Sequence, residues 1–144
     1  MKKSRFKSNK FSDIEGKMIN LTFENGLLFT SMEIFFRGKS IVIDNIVIDT
    51  GAAETILSPD VVEDIGIFAE LDDYVNSFYG VGGSIHNFFT KQVDGISLGS
   101  VVLKPLKLDF GVIDPQGHIN GLLGLDILME LNAVIDLRNL KLEI

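Results

Sequence analysis

Asn45-Ile46-Val47-Ile48-Asp49-Thr50-Gly51-Ala52 is the stretch on which the reading of this 144-residue chain turns. Three β-branched residues in succession, Ile46, Val47 and Ile48, hold the backbone extended and read as a strand. The run stops at a carboxylate, and Thr50 and Gly51 supply a turn. An acidic side chain is thereby delivered to the end of a strand. Thr55-Ile56-Leu57 resumes the apolar pattern a few residues later, so Asp49 lies on a loop between two strands.

Outward from this loop the pattern remains that of strands. Residues 18–23 alternate as Met-Ile-Asn-Leu-Thr-Phe, Glu24-Asn25-Gly26 makes a turn, and residues 27–36 are apolar almost throughout. These read as a hairpin. Residues 40–48 form the strand that ends at Asp49. On the other side, Ser58-Pro59-Asp60 combines a cap residue, a proline at the first helical position and an acid in the first turn. A short helix over residues 59–65, ended by Gly66, is predicted.

Residues 74–79 and 84–90 flank Gly80-Val81-Gly82-Gly83, a glycine-dense connection suited to a hairpin tip. Residues 93–98 and 101–110 are further strands around Gly99-Ser100, with Pro105 marking an edge or a bulge. Gly121-Leu122-Leu123-Gly124-Leu125-Asp126-Ile127-Leu128 leads into a brief helix to about Leu131, and residues 133–137 and 140–144 are the last strands. Short apolar segments at regular intervals predict an all-β barrel or sandwich. No repeat or linker divides the chain, so residues 18–144 are read as one domain behind a flexible basic tail, residues 1–17.

Hydrophobic residues make up 46% of the chain and charged ones 23%, a balance that supports a packed core and excludes a disordered protein. There is no cysteine, which excludes disulfides, thiolate metal sites and a cysteine nucleophile and fits a reducing, cytoplasmic setting. His86 and His118 are the only histidines, and no metal or other cofactor is expected. No serine stands in a Gly-x-Ser-x-Gly setting, which argues against a serine triad. No apolar run is long enough to span a bilayer, and no apolar stretch suited to an export signal follows the basic N-terminus. Residues 1–17 hold 6 of the 13 basic residues and 2 of the 20 acidic ones, so residues 18–144 carry 7 basic against 18 acidic, a net of −11. Such a body repels phosphate backbones, and neither nucleic acid nor membrane is an expected partner.

Asp49-Thr50-Gly51-Ala52, taken with the strand before it, resembles the catalytic motif of the retropepsins, single-domain aspartic proteases of the retroviral type. Three further features come in that family's order: the strand resuming at Thr55-Ile56-Leu57, the glycine-rich Tyr79-Gly80-Val81-Gly82-Gly83, and Leu122-Leu123-Gly124-Leu125-Asp126 before a short helix. The resemblance covers residues 18–144. It departs at Ala53, where an acidic or serine residue is common, and at Glu54 after it, so viral cleavage preferences do not transfer.

The resemblance implies a closed or nearly closed acid-protease β barrel with one or two short helices, and an endopeptidase whose catalytic residue is Asp49. Peptide hydrolysis by this route needs one carboxyl to take a proton from water and another to give one to the scissile carbonyl. The chain has a single Asp-Thr-Gly, so a homodimer in which two Asp49 side chains share a proton is expected. Thr50, Gly51 and Ala52 support the loop, Thr50 bracing the neighbouring subunit and Gly51 letting a substrate backbone come close. Tyr79, Gly80, Val81, Gly82 and Gly83 form a flap over a peptide bound as an added strand. Gly124 and Asp126 are structural, with Asp126 capping the last helix under the loop, and Asp109 and other strand carboxylates are expected to be solvated. Residues 140–144 are expected to be a strand free to pair across the twofold. The alternative is a catalytically silent dimeric binding or scaffold module on the same fold.

Overall fold

Alternating inward-facing side chains on two long strands organise the core. The computed structural model describes residues 18–79 and 85–144, and among them it has thirteen strands and one α-helix. β3 (Leu27–Phe36) and β4 (Lys39–Ile48) form an antiparallel pair joined by Arg37 and Gly38, with φ of 49° and 83°. Two left-handed residues in a two-residue turn match the natural twist of the strands. Along β3, Met32, Ile34 and Phe36 are buried, and each such side chain contributes roughly 1.5–3 kcal/mol.

β4 carries a bulge. Ile43 pairs with Met32 and Ile46 with Thr30, so Asp44 and Asn45 stand opposite Ser31 alone. Asn45 adopts φ 58°, which asparagine tolerates and β-branched residues resist. The side chains in or against the core are Ile41 and Ile43 before the bulge and Ile46 and Ile48 after it. Parity passes from odd to even, so Asp49 shares the face of Val47, which is buried but outside the core cluster, and not that of Ile46 and Ile48. Asn120 seals the bulge: its backbone N–H donates to the Asn45 carbonyl at 2.9 Å and its side-chain amide to the Asp44 carbonyl at 2.9 Å.

The main sheet has the strand order β6 (Tyr74–Tyr79), β7 (Ile85–Val93), β10 (Leu106–Gly111), β5 (Ile56–Leu57), β11 (Gly121–Leu123), β4, β3, β8 (Gly95–Leu98) and β9 (Val101–Leu103), with β2 (Thr22–Glu24) also on β3. Only Asp94 separates β7 from β8. One bent length of chain therefore pairs with β10 through β7 and with β3 through β8, turning the sheet back on itself. The corner is fixed by the Asp94 N–H donating to the Phe35 carbonyl at 2.9 Å and by the Arg37 N–H donating to the Asp94 carboxylate at 2.8 Å. Phe110, Ile34, Ile43, Ile46, Leu57 and Leu123 fill the interior. The architecture is the all-β one expected, with α1 (Leu125–Glu130) as its helix.

Several local expectations differ. Residues 18–24 do not form one hairpin arm: the chain bends at buried Leu21, whose N–H donates to the Leu140 carbonyl at 2.9 Å. β1 (Met18–Asn20) consequently pairs with β13 (Lys141–Glu143), while β2 alone makes the hairpin with β3. β12 (Val134–Asp136) takes the other side of β13. β13 is therefore the middle strand of a three-stranded sheet, not a free edge; the edges are β1 and β12. Residues 59–65 form two 3-10 turns, Pro59–Val61 and Glu63–Ile65, because Val62 between them leaves helical geometry at φ −118°. The start and stop stand as read: Ser58 accepts from the Asp60 N–H at 3.3 Å, and Gly66 closes the second turn at φ 87°. Pro105 lies between β9 and β10, outside the ladder. The tail, residues 1–17, lies outside the described residues. Among the described residues no helix is long and apolar enough to cross a membrane.

The base of the β6–β7 hairpin is tied by Lys91, whose buried ammonium meets Glu70 at 2.5 Å and Asp73 at 2.8 Å. Burial alone would raise the Asp73 pKa, but the Lys91 and backbone hydrogen bonds outweigh it and hold that carboxyl below its ordinary value.

Candidate active site

Asp49 is positioned by three strands. β4 leads to it, β5 leads away from it, and β11 lies between the two limbs, parallel to β4 and antiparallel to β5. The Asp49 N–H extends the ladder by donating to the Leu123 carbonyl at 3.0 Å. The Gly51 N–H donates to Asp49 Oδ1 at 2.9 Å and the Ala52 N–H to the Asp49 carbonyl at 3.2 Å. The loop thus folds around the carboxylate and leaves it half-exposed, with Thr50 and Gly51 exposed beside it and Ala52 half-buried. A Cβ on Gly51 would stand 3.2 Å from Asp49 Oδ1, a tight approach that crowds the carboxylate.

The other limb of the loop is held by Gly124 and Asp126. The Leu125 and Asp126 N–H groups donate to the Ala52 and Ala53 carbonyls at 2.8 and 3.1 Å. Asp126 accepts the Thr55 N–H at 3.0 Å, the Thr55 hydroxyl at 2.7 Å and the Ile127 N–H at 2.8 Å. Thr55 Oγ1 in turn accepts the Gly124 N–H at 3.0 Å. Gly124 sits so close to the loop that a Cβ would lie 2.7 Å from the Glu54 carbonyl carbon and 2.8 Å from the Ala52 oxygen. Gly124 itself occupies the cap position of α1. Asp126 stands one residue inside the helix, where it ties the helix to the Asp49 loop, so the expected capping geometry is corrected while the contact with the loop is present.

Beyond Ala52 the loop borders a cleft of about 510 Å³. Ile56, Phe88, Val112, Ile113 and Leu122 make it apolar, Ala52 and Ala53 lie on the loop side, and Glu54 and Asp109 bring two carboxyls into it. Asp109 accepts the Thr90 hydroxyl at 2.7 Å. A hydrogen bond with Asp109, then repulsion by its charge, burial and the charge of Asp126 hold the Glu54 carboxyl above its ordinary pKa. Asp109 is half-buried rather than solvated. Its register against Thr90 on one side and Ile56 on the other places it here, a pairing that no local pattern announces.

Of the flap residues, Tyr79 ends β6 opposite Ile85 of β7. Gly80, Val81, Gly82 and Gly83 lie outside the described residues. The strands that lead to them, Tyr74–Tyr79 and Ile85–Val93, are antiparallel as a hairpin requires.

Residues 37–130 match the family model described as "gag-polyprotein putative aspartyl protease". The fold is similar to that of a retropepsin-like aspartic protease from Rickettsia conorii, with a TM-score of 0.61 and 19% identity over 87% of this chain and 95% of that one. It is also similar to EIAV protease, solved with the inhibitor HBY-793, with a TM-score of 0.57 and 22% identity over 81% of this chain and 99% of that one. No curated protein sequence matches the chain.

Proposed function

The chain belongs to the gag-polyprotein aspartyl protease family, and from that premise we propose that it is an aspartic endopeptidase, completed when two copies bring their Asp49 side chains together. The placement of Asp49 carries this reading: a half-exposed carboxylate at a strand end, oriented by the Gly51 N–H, on a loop braced from below. Residues 18–144 form the protease domain, and the lack of cysteine suits work in the cytoplasm.

In the complete site the ionised carboxyl takes a proton from a water lying between the two Asp49 side chains. The water oxygen attacks the carbonyl carbon while the protonated carboxyl gives its proton to the carbonyl oxygen. Collapse of the tetrahedral species breaks the C–N bond, and a proton passes to the leaving amine. Two carboxyls at that separation do not both ionise readily, so the pair holds one proton over a mildly acidic range. Thr50 braces the facing loop, Gly51 admits the substrate backbone, and residues 79–83 close over a peptide held as an added strand.

Asp49→Asn is the test. Cleavage of a peptide library should fall by about a thousandfold or more, as expected for loss of a general acid–base pair, while melting temperature and dimer mass stay near those of the parent. Co-refolding parent with excess Asp49→Asn chains should poison activity, because a mixed dimer has one working carboxyl. Monomers that cleave peptide at the parent rate would defeat the shared site, and an Asn variant as fast as the parent would defeat the mechanism.

A further inference from the structure

The cleft beyond Ala52 has an uneven lining. Ile56, Phe88, Val112 and Leu122 would suit an aliphatic or aromatic side chain, yet Glu54 from the loop and Asp109 from β10 place two carboxyls in the same space. Thr90 fixes the Asp109 carboxyl through its hydroxyl, so this acid is held in place rather than swinging in solvent. Among the described residues, no ion pair with Lys, Arg or His reaches Glu54 or Asp109. Two adjacent carboxyls with no cation between them repel unless they share a proton.

We propose that this cleft is a specificity pocket for one long basic substrate side chain, lysine or arginine, its aliphatic stem lying on Ile56, Val112 and Leu122 and its cationic head between Glu54 and Asp109. The inference rests on the endopeptidase reading and deepens it. An aliphatic stem with a charged tip matches apolar walls that end in carboxyls, in the way such side chains commonly divide their surface. The head also replaces the shared proton: the acid form of Glu54 loses its proton to solvent, and the cation then lies between two carboxylates, a charge-assisted arrangement. Ala53 leaves this side of the loop open, whereas a longer side chain there would compete for the same space.

The preference carries a pH dependence with a defined sign. Glu54 is faced by Asp109 from β10 and by the Asp126 charge from α1, both of which favour its protonated form. The cationic head is therefore preferred most at neutral pH, and the preference fades as pH falls and the pair takes up its proton.

Binding can be measured without turnover by using the full-length Asp49→Asn protein and uncleavable reduced-amide peptides. Lysine, norleucine or glutamine would be placed in turn at each position near the central bond, with calorimetry at neutral and mildly acidic pH. At one position lysine should bind tighter than norleucine by about tenfold, roughly one well-placed charge-assisted contact, with proton release on binding. Glu54→Gln and Asp109→Asn should each bring that ratio near one, and retained binding of the norleucine peptide shows that the variant is folded. Equal binding of lysine and norleucine at every position, or a preference that survives both substitutions, overturns the specificity assignment and leaves the endopeptidase reading standing. Failure of every peptide to bind the folded dimer overturns the peptide site itself and the pocket assignment with it.

Discussion

Asp49 and Asp126 follow two strands that lie side by side and parallel, β4 and β11, yet their carboxylates are held by different sets of donors. The Asp126 carboxylate accepts the Thr55 N–H, the Thr55 hydroxyl and the Ile127 N–H, and is committed to holding one loop against one helix. The Asp49 carboxylate takes the Gly51 N–H on Oδ1 and is half-exposed. A carboxylate that already accepts three donors has few lone pairs left for a substrate, while one held by a single backbone donor is oriented and still available. The same side chain thus serves as fastener in one place and as candidate reagent in the other, and local donor supply makes the difference.

The sharpest way to break that contrast is to remove the fastener. Asp126→Ala orphans the N–H of Thr55, a buried residue, and frees its hydroxyl, for a cost of about 2–4 kcal/mol. Thermal melting should drop by roughly 5–15 °C for a chain of this size, and any proteolysis should fall with it because the Asp49 loop loses its support. Asp49→Asn, by contrast, should hardly move the melt; equal destabilisation by both substitutions would erase the division of labour.

A smaller effect is expected at Gly124→Ala, which leaves every donor in place and tests the close approach alone. The added methyl meets the backbone of Ala52 and Glu54 within 2.8 Å, so the loop must shift at about 1–3 kcal/mol. Denaturant unfolding measures that cost, and amide shifts confined to residues 49–55 and 121–127 would locate it. A silent Gly124→Ala would mean that the loop is looser than its hydrogen bonds indicate.

The smallest effect is expected at Asn45→Val, remote from both carboxylates. It puts a β-branched residue at φ 58° and should cost about 1–2 kcal/mol. Hydrogen exchange should quicken around residues 43–46 while the Asp126 contacts stay protected. Strand register at Asp49 read by NMR decides whether the bulge survives.

The strands and the Asp49 loop were legible because their signals are local: a β-branched run, a carboxylate, a turn, then a resumed apolar run. The Gly124–Asp126 segment was legible as a partner of that loop through family resemblance, since no periodicity joins residue 55 to residue 126. Glu54 and Asp109 escaped notice as a pair because β10 meets β5 and β7 only through long-range registers. The edge strand assigned to residues 140–144 was misplaced for the same reason, with Met18 and Val134 both pairing with Glu143 in the folded sheet. Val62 interrupted an otherwise well-signalled helix, as β-branched residues do where the helical run is short.

The bulge at Asp44 and Asn45 acts as an expansion joint. β4 holds one residue more than a regular ladder against β3 can use, and the joint absorbs it, so the length of chain before it is decoupled from the direction in which Asp49 points. Deleting Asn45 should therefore be tolerated: the strand straightens, Ile43 and Ile46 become regular neighbours on one face, and Asp49 keeps its side. A single alanine inserted between Val47 and Ile48, past the joint, has nothing to absorb it. Such a chain would turn the Asp49 carboxylate toward the core and Ile48 away from it, or expel Ile46 to prevent that, and in either case the candidate site would be lost by a shift of one residue with no chemical group removed.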